Sequence, residues 1–148
     1  MMASAPVLPA SVKQPLALTG VCKYHIDHET LHIDVEQITN NRAAGTRSGS
    51  LSLEMWALAE PYTGGDFRGY QLAAMALGEL EGQRYFGHTH YSMALRSPAE
   101  GSWYLVLMLR EWDCGSYVTR DFISFPQQIK AQYKLVLSLD GLPAVYRP

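Results

Sequence analysis

Cysteine is scarce. Cys22 and Cys114 are the only two in 148 residues. Two thiols build no disulfide framework, and a chain of this length buries enough surface to fold without one. Both are expected as free thiols. Long apolar runs are missing as well: nothing approaches the roughly 20 residues of a membrane-spanning helix. Charge of one sign never accumulates. The 12 basic and 14 acidic residues are dispersed, with a formal net charge of −2. No basic footprint for nucleic acid and no polybasic membrane anchor results. The first ten residues contain no Lys or Arg and no long apolar core. The expectation is therefore no secretory signal and a cytoplasmic location by default.

Several signatures of chemistry are absent too. There is no Gly-x-Ser-x-Gly elbow. The glycine-rich segment Gly45-Thr46-Arg47-Ser48-Gly49-Ser50 has an anion-binding composition centred on Arg47, but no Lys-Ser/Thr and no helix follow it. Gly82 followed by His88-Thr89-His90 resembles the start of a cupin metal motif, yet Ala94 and Leu95 stand where its glutamate belongs. Cys22 and His25 are three apart, which on a strand sends them to opposite faces.

Helical periodicity is also missing. Residues 70–81 alone leave it open, with Leu72, Ala73, Met75, Ala76, Leu77 and Leu80, but Gly69 and Gly78 bracket that run and the expectation is strand. What the chain does contain is alternation. In Leu51-Ser52-Leu53-Glu54-Met55-Trp56-Ala57-Leu58 every second residue is apolar, and Trp56 and Leu58 make the other face apolar near its end. A strand apolar on both faces is central and covered twice. Further strands are expected at about 21–26, 31–40, 70–77, 84–96, 103–109, 117–125 and 130–139. Pro126 ends the seventh; in the last, Ala131, Tyr133, Leu135, Leu137 and Leu139 share a face. Residues 1–15, with Pro6, Pro9 and Pro15, make a loose arm before a single domain at 16–148. Trp56, Trp103 and Trp112 are expected in the core.

The first hairpin can be placed in register. A four-residue loop at 27–30 sets Ile26 opposite Leu31 and Tyr24 opposite Ile33. The same register sets His25 opposite His32 and Lys23 opposite Asp34. Apolar residues then share one face and polar residues the other, which a slip of one residue would invert.

Three stretches carry a family resemblance. They are Ile38-Thr39-Asn40-Asn41 before the Gly/Ser loop, Ser50-Leu51-Ser52-Leu53-Glu54-Met55-Trp56, and the run from Leu77-Gly78-Glu79-Leu80-Glu81-Gly82 through Ser97-Pro98 to Gly101-Ser102-Trp103-Tyr104-Leu105-Val106-Leu107. Over residues 17–112 the chain resembles bacterial immunoglobulin-like sandwiches of the cell-adhesion-related (CARDB) type. The resemblance implies an all-β, immunoglobulin-like antiparallel sandwich of about eight strands, with a binding or architectural role and no catalytic residues.

All five histidines fall in two groups, His25, His28 and His32, then His88 and His90. In an immunoglobulin-like sandwich the second and fifth strands are neighbours. That would bring His32 beside His88 or His90, with Asp34 close by, a donor set suited to Zn²⁺. Tyr62, Phe67 and Tyr70 flank Gly64-Gly65 and offer an aromatic contact patch for a partner or a carbohydrate. The functional expectation is a non-enzymatic module, without a cofactor, that binds a protein partner or self-associates. The alternative is a metal-binding protein using His25, His32, His88, His90 and Asp34, with metal-dependent hydrolysis as its enzymatic form.

Overall fold

The computed structural model describes residues 14–132 and, as backbone only, residues 134–137 and 143–146. Eight strands form two antiparallel sheets. β1 (Leu16–Asp27) pairs with β2 (Thr30–Asn40), which pairs along its other edge with β5 (Tyr85–Phe86) and β6 (Thr89–Ala94). In the second sheet the order is β4 (Gly69–Gly78), β3 (Leu51–Leu58), β7 (Gly101–Asp113), β8 (Ser116–Ala131). β9 (Lys134–Leu137) and β10 (Pro143–Tyr146) pair with each other. No helix occurs among the described residues.

The core lies between the sheets. Leu16, Leu18, Leu31, Ile33, Val35, Ile38 and Met93 face Leu51, Leu53, Met55, Ala57, Leu72, Leu105, Leu107 and Leu109. The alternation of β3 sends Leu51, Leu53, Met55 and Ala57 into this layer, and its other face is covered as well. There Leu58 packs with Tyr62, Val106 and Met108, walled by Trp56, Phe67 and Phe122. The doubly apolar strand is thus central, covered on one side by a sheet and on the other by the loop after it. At one side of the sandwich the Leu18 amide donates to Asp121 Oδ2 at 2.8 Å. At the other, the Arg96 amide donates to the Leu72 carbonyl at 2.7 Å, joining the segment after β6 to β4.

The first hairpin has the expected register: Ile26 faces Leu31, His25 faces His32, and Lys23 faces Asp34. Asp27 and Thr30 also pair, so the turn proper is His28-Glu29, with His28 at φ 57°. Further along, the register shifts between Thr19 and Cys22. Gly20 lies there at φ 77°, and a Cβ on it would overlap the Glu36 side chain, whose carboxylate accepts the Val21 amide at 2.9 Å. Only glycine fits that bulge.

Four expectations change. The strand expected at 84–96 is two strands broken at Gly87-His88, where a residue without a side chain lets the chain bend. Pro126 does not end its strand, because β8 lies at the sheet edge and absorbs the proline in a bulge between the pairs Tyr104–Gln128 and Val106–Ser124. The strand expected at 130–139 begins instead as the end of β8 and continues as β9. Its expected face includes Tyr133 and Leu139, outside the described residues, as are residues 1–13 of the arm. Trp112 is 47% exposed and packs edge-on to Tyr117 at the far end of the β7–β8 hairpin.

Candidate functional site

The register that buries Leu31, Ile33 and Val35 turns His32, Asp34 and Glu36 outward. β1 and β6 bring their outward residues alongside. One row across the sheet reads His25, His32, Ser92, and the next reads Lys23, Asp34, His90. The Leu95 amide donates to the Glu29 carbonyl. By alternation, His32–Ser92 and Asp34–His90 are the non-hydrogen-bonded pairs of the β2–β6 ladder. Their side chains therefore approach most closely.

The contacts follow from this placement. His90 Nδ1 lies 2.8 Å from Asp34 Oδ1. An ionised carboxylate only accepts, so Nδ1 carries the hydrogen. In the neutral ring Nε2 then bears a lone pair, and it faces His32 Nδ1 at 3.3 Å. Ser92 Oγ is 3.0 Å from His32 Nδ1 and 3.4 Å from His90 Nε2. The His32 and His90 rings stack at 5.3 Å and 25°, and His25 stacks on His32 at 5.8 Å. The hydrogen bond from His90 holds the Asp34 carboxyl below its ordinary value, and the charges of His90, Lys23 and His88 act the same way.

Thus His25, His32, His90 and Asp34 come together. His88 sits in the bend before β6, beyond the ladder, within electrostatic reach of Asp34. His28 stands apart in the turn, paired with Asp27 at 2.7 Å. Among the described residues, no three His, Cys, Asp or Glu side chains converge on one point as they stand. Asp34, His90 and Ser92 are in the order of a hydrolytic triad, but His32 takes the shorter contact to Ser92. The face is open to water, where an oxyanion cannot be held by desolvated donors.

The aromatic patch expected at 62–70 does not assemble. Tyr62 is 7% exposed, stacks edge-on to Phe67 and Phe122, and donates its hydroxyl to the Gly65 carbonyl at 2.6 Å. Phe67 packs edge-on to Trp56, with the Arg110 guanidinium 5.1 Å from its ring centre. Tyr70 points elsewhere, edge-on to Trp103. The loop folds back because its aromatics cover the outer side of β3 and β7. The cleft left beside it, about 250 Å³, is open and lined mainly by the loop itself. Arg47, the anion candidate, is paired with Glu81 and with Glu79 at 3.4 Å.

Two ionic centres escaped the sequence reading. Glu111, 4% exposed, accepts both Arg42 terminal nitrogens at 2.7 Å, Arg120 Nε at 2.8 Å and the Gly49 amide at 2.8 Å. The bidentate Arg42 bond, the Gly49 amide and Arg120 lower its pKa to about 2 against the opposing effect of burial. Glu54, also buried, accepts Ser52 Oγ and Trp56 Nε1 at 2.8 Å and Arg110 Nη1 at 3.4 Å. Their only sequence signal was a carboxylate inside an otherwise apolar strand. Both cysteines are free thiols. Burial raises the pKa of Cys22, and a hydrogen bond with Asp113 raises that of Cys114.

No protein-family model matches the chain. No curated protein matches it. A solved structure described as a putative beta-galactosidase from Bacteroides fragilis superposes on 83% of this chain and 18% of that one, at 13% identity and a TM-score of 0.33. A superposition that loose carries no argument about this protein.

Proposed function

We propose that the protein is a non-enzymatic binding module whose working surface is the outer face of β1, β2 and β6, and that the ligand this face suits is a divalent ion of the zinc type. The observation that carries the reading is the pair His32 Nδ1 and His90 Nε2, 3.3 Å apart, with Asp34 fixing the tautomer of His90 from behind. Two nitrogens bound at about 2.05 Å to a tetrahedral ion stand about 3.3 Å apart. A carboxylate behind a ligating imidazole is the usual outer support of such a site. The rings are stacked, so bringing both lone pairs onto one ion takes a rotation of His32 about χ2, while His90 keeps its bond to Asp34. Elsewhere the candidates are consumed by the fold. Arg42, Arg47, Arg110 and Arg120 are ion-paired, and Tyr62 is packed. The resemblance of residues 17–112 to bacterial immunoglobulin-like adhesion-related domains supports a binding role over catalysis.

The test is a zinc titration of chelator-stripped protein, followed by the histidine ring signals in NMR. His32 and His90 shift together, His25 follows through its stacking contact, and His28 stays still. Equal, weak responses from all five rings would overturn the reading.

A further inference from the structure

The pair His32 and His90 is half of a coordination sphere. A closed zinc site takes four ligands, and the described residues offer no third at this point. His25 stacks on His32 from the β1 side of β2, whereas His90 lies on the β6 side. Asp34 is engaged by His90 Nδ1. Glu36 is held at the Gly20 bulge by the Val21 amide. Among the described residues, no group of three candidate ligands converges anywhere.

The pair is nevertheless well presented. His32 and His90 stand on an exposed sheet face, not in a cleft. No described residue closes over them, and the His90 side chain is 52% exposed. An ion bound there would keep two positions open toward solvent. The fixed charges on the outward rows around the pair are Lys23 against Asp27, Asp34 and Glu36, a net of two negative charges. A divalent ion between two such faces offsets half of their combined charge.

From this, and resting on the metal reading above, we infer that one zinc-type ion is shared between two copies of this chain, His32 and His90 of each supplying its four nitrogens. A twofold axis through the ion makes the contact isologous: the same patch serves both copies and the assembly closes as a dimer. Ligand binding and self-association are then one event. Asp34 is a positioning residue, since it acts on the ion only through His90.

Sedimentation velocity on chelator-stripped full-length protein, titrated with zinc chloride alone, tests this. The expected result is monomer without zinc, dimer complete at half an equivalent, and return to monomer with a chelator. His32→Ala and His90→Ala abolish the dimer, and Asp34→Asn raises the zinc needed by roughly 10- to 100-fold. His28→Ala, an exposed histidine outside the pair, dimerises as the parent does. The histidine NMR signals, read on the same samples, show that each variant is folded. If His32 and His90 bind zinc at one equivalent while the protein stays monomeric, sharing between copies is overturned and the metal reading stands. If their rings do not respond at all, both fall. A dimer that forms without zinc, or that survives His90→Ala, also overturns the inference.

Discussion

His90 gives its Nδ1 hydrogen to Asp34 at 2.8 Å and turns its other nitrogen to within 3.3 Å of His32 Nδ1. One contact determines what the other can be. Because the carboxylate fixes the tautomer, the nitrogen facing His32 is a lone pair whenever the ring is neutral. A neutral His32 with its hydrogen on Nδ1 donates it to that lone pair, and a bound cation would take the place of this hydrogen.

Protonation should therefore compete with zinc. Zinc binds an imidazole only through a free ring lone pair, so protons compete with the ion for both nitrogens and zinc affinity falls as pH is lowered. Titration calorimetry at several pH values checks this. A pH-independent affinity would point to carboxylate ligands instead.

The acid limb of stability is assigned to a different place. Glu111 has a pKa near 2 in the folded protein against an ordinary 4.5. A carboxyl with a depressed folded pKa stabilises the protein above the unfolded value, and that contribution disappears as pH falls from about 4.5 to about 2. The shift corresponds to a few kcal/mol at most, on the order of 3. Glu111→Gln leaves Arg42 and Arg120 without their shared partner. It should lower stability at pH 7 by about 2–3 kcal/mol and flatten this limb. Denaturant unfolding at pH 7, 4 and 3 gives both numbers.

The loop after β3 is part of the packing. Tyr62→Ala removes a buried ring between Phe67 and Phe122 and should cost about 3–5 kcal/mol. Zinc binding, on the opposite sheet, should be unchanged in the folded fraction. A loop used for recognition would show little loss of stability on the same substitution.

The triad order of Asp34, His90 and Ser92 should yield no hydrolysis. Activated esters are expected to turn over at the buffer rate, and Ser92→Ala should leave that rate unchanged. A rate abolished by Ser92→Ala would assign the face a catalytic role.

Much of this face was legible in the sequence because alternation determines facing. Ile26–Leu31 and Lys23–Asp34 both satisfied one hairpin register, so His25 had to meet His32. The pairing of β2 with β6 was reached through the immunoglobulin-like resemblance, and it brought His90 to Asp34. His88 was misplaced because periodicity carried the strand through Gly87, where the backbone bends. Pro126 misled for a related reason: a proline ends a central strand but not an edge strand with a bulge. Tyr62 and Phe67 could not be assigned, because a glycine-rich aromatic loop has the same composition folded down or standing free. The Arg42–Glu111–Arg120 centre joins residues up to 78 positions apart, and no local pattern records such a contact.

The most direct test is the zinc K-edge X-ray absorption of the zinc-loaded protein. The account predicts a first shell of nitrogen at about 2.0 Å with the outer scattering of imidazole rings. A sulfur shell at about 2.3 Å, which would place the ion on Cys22 or Cys114, or a shell without imidazole scattering, would contradict it.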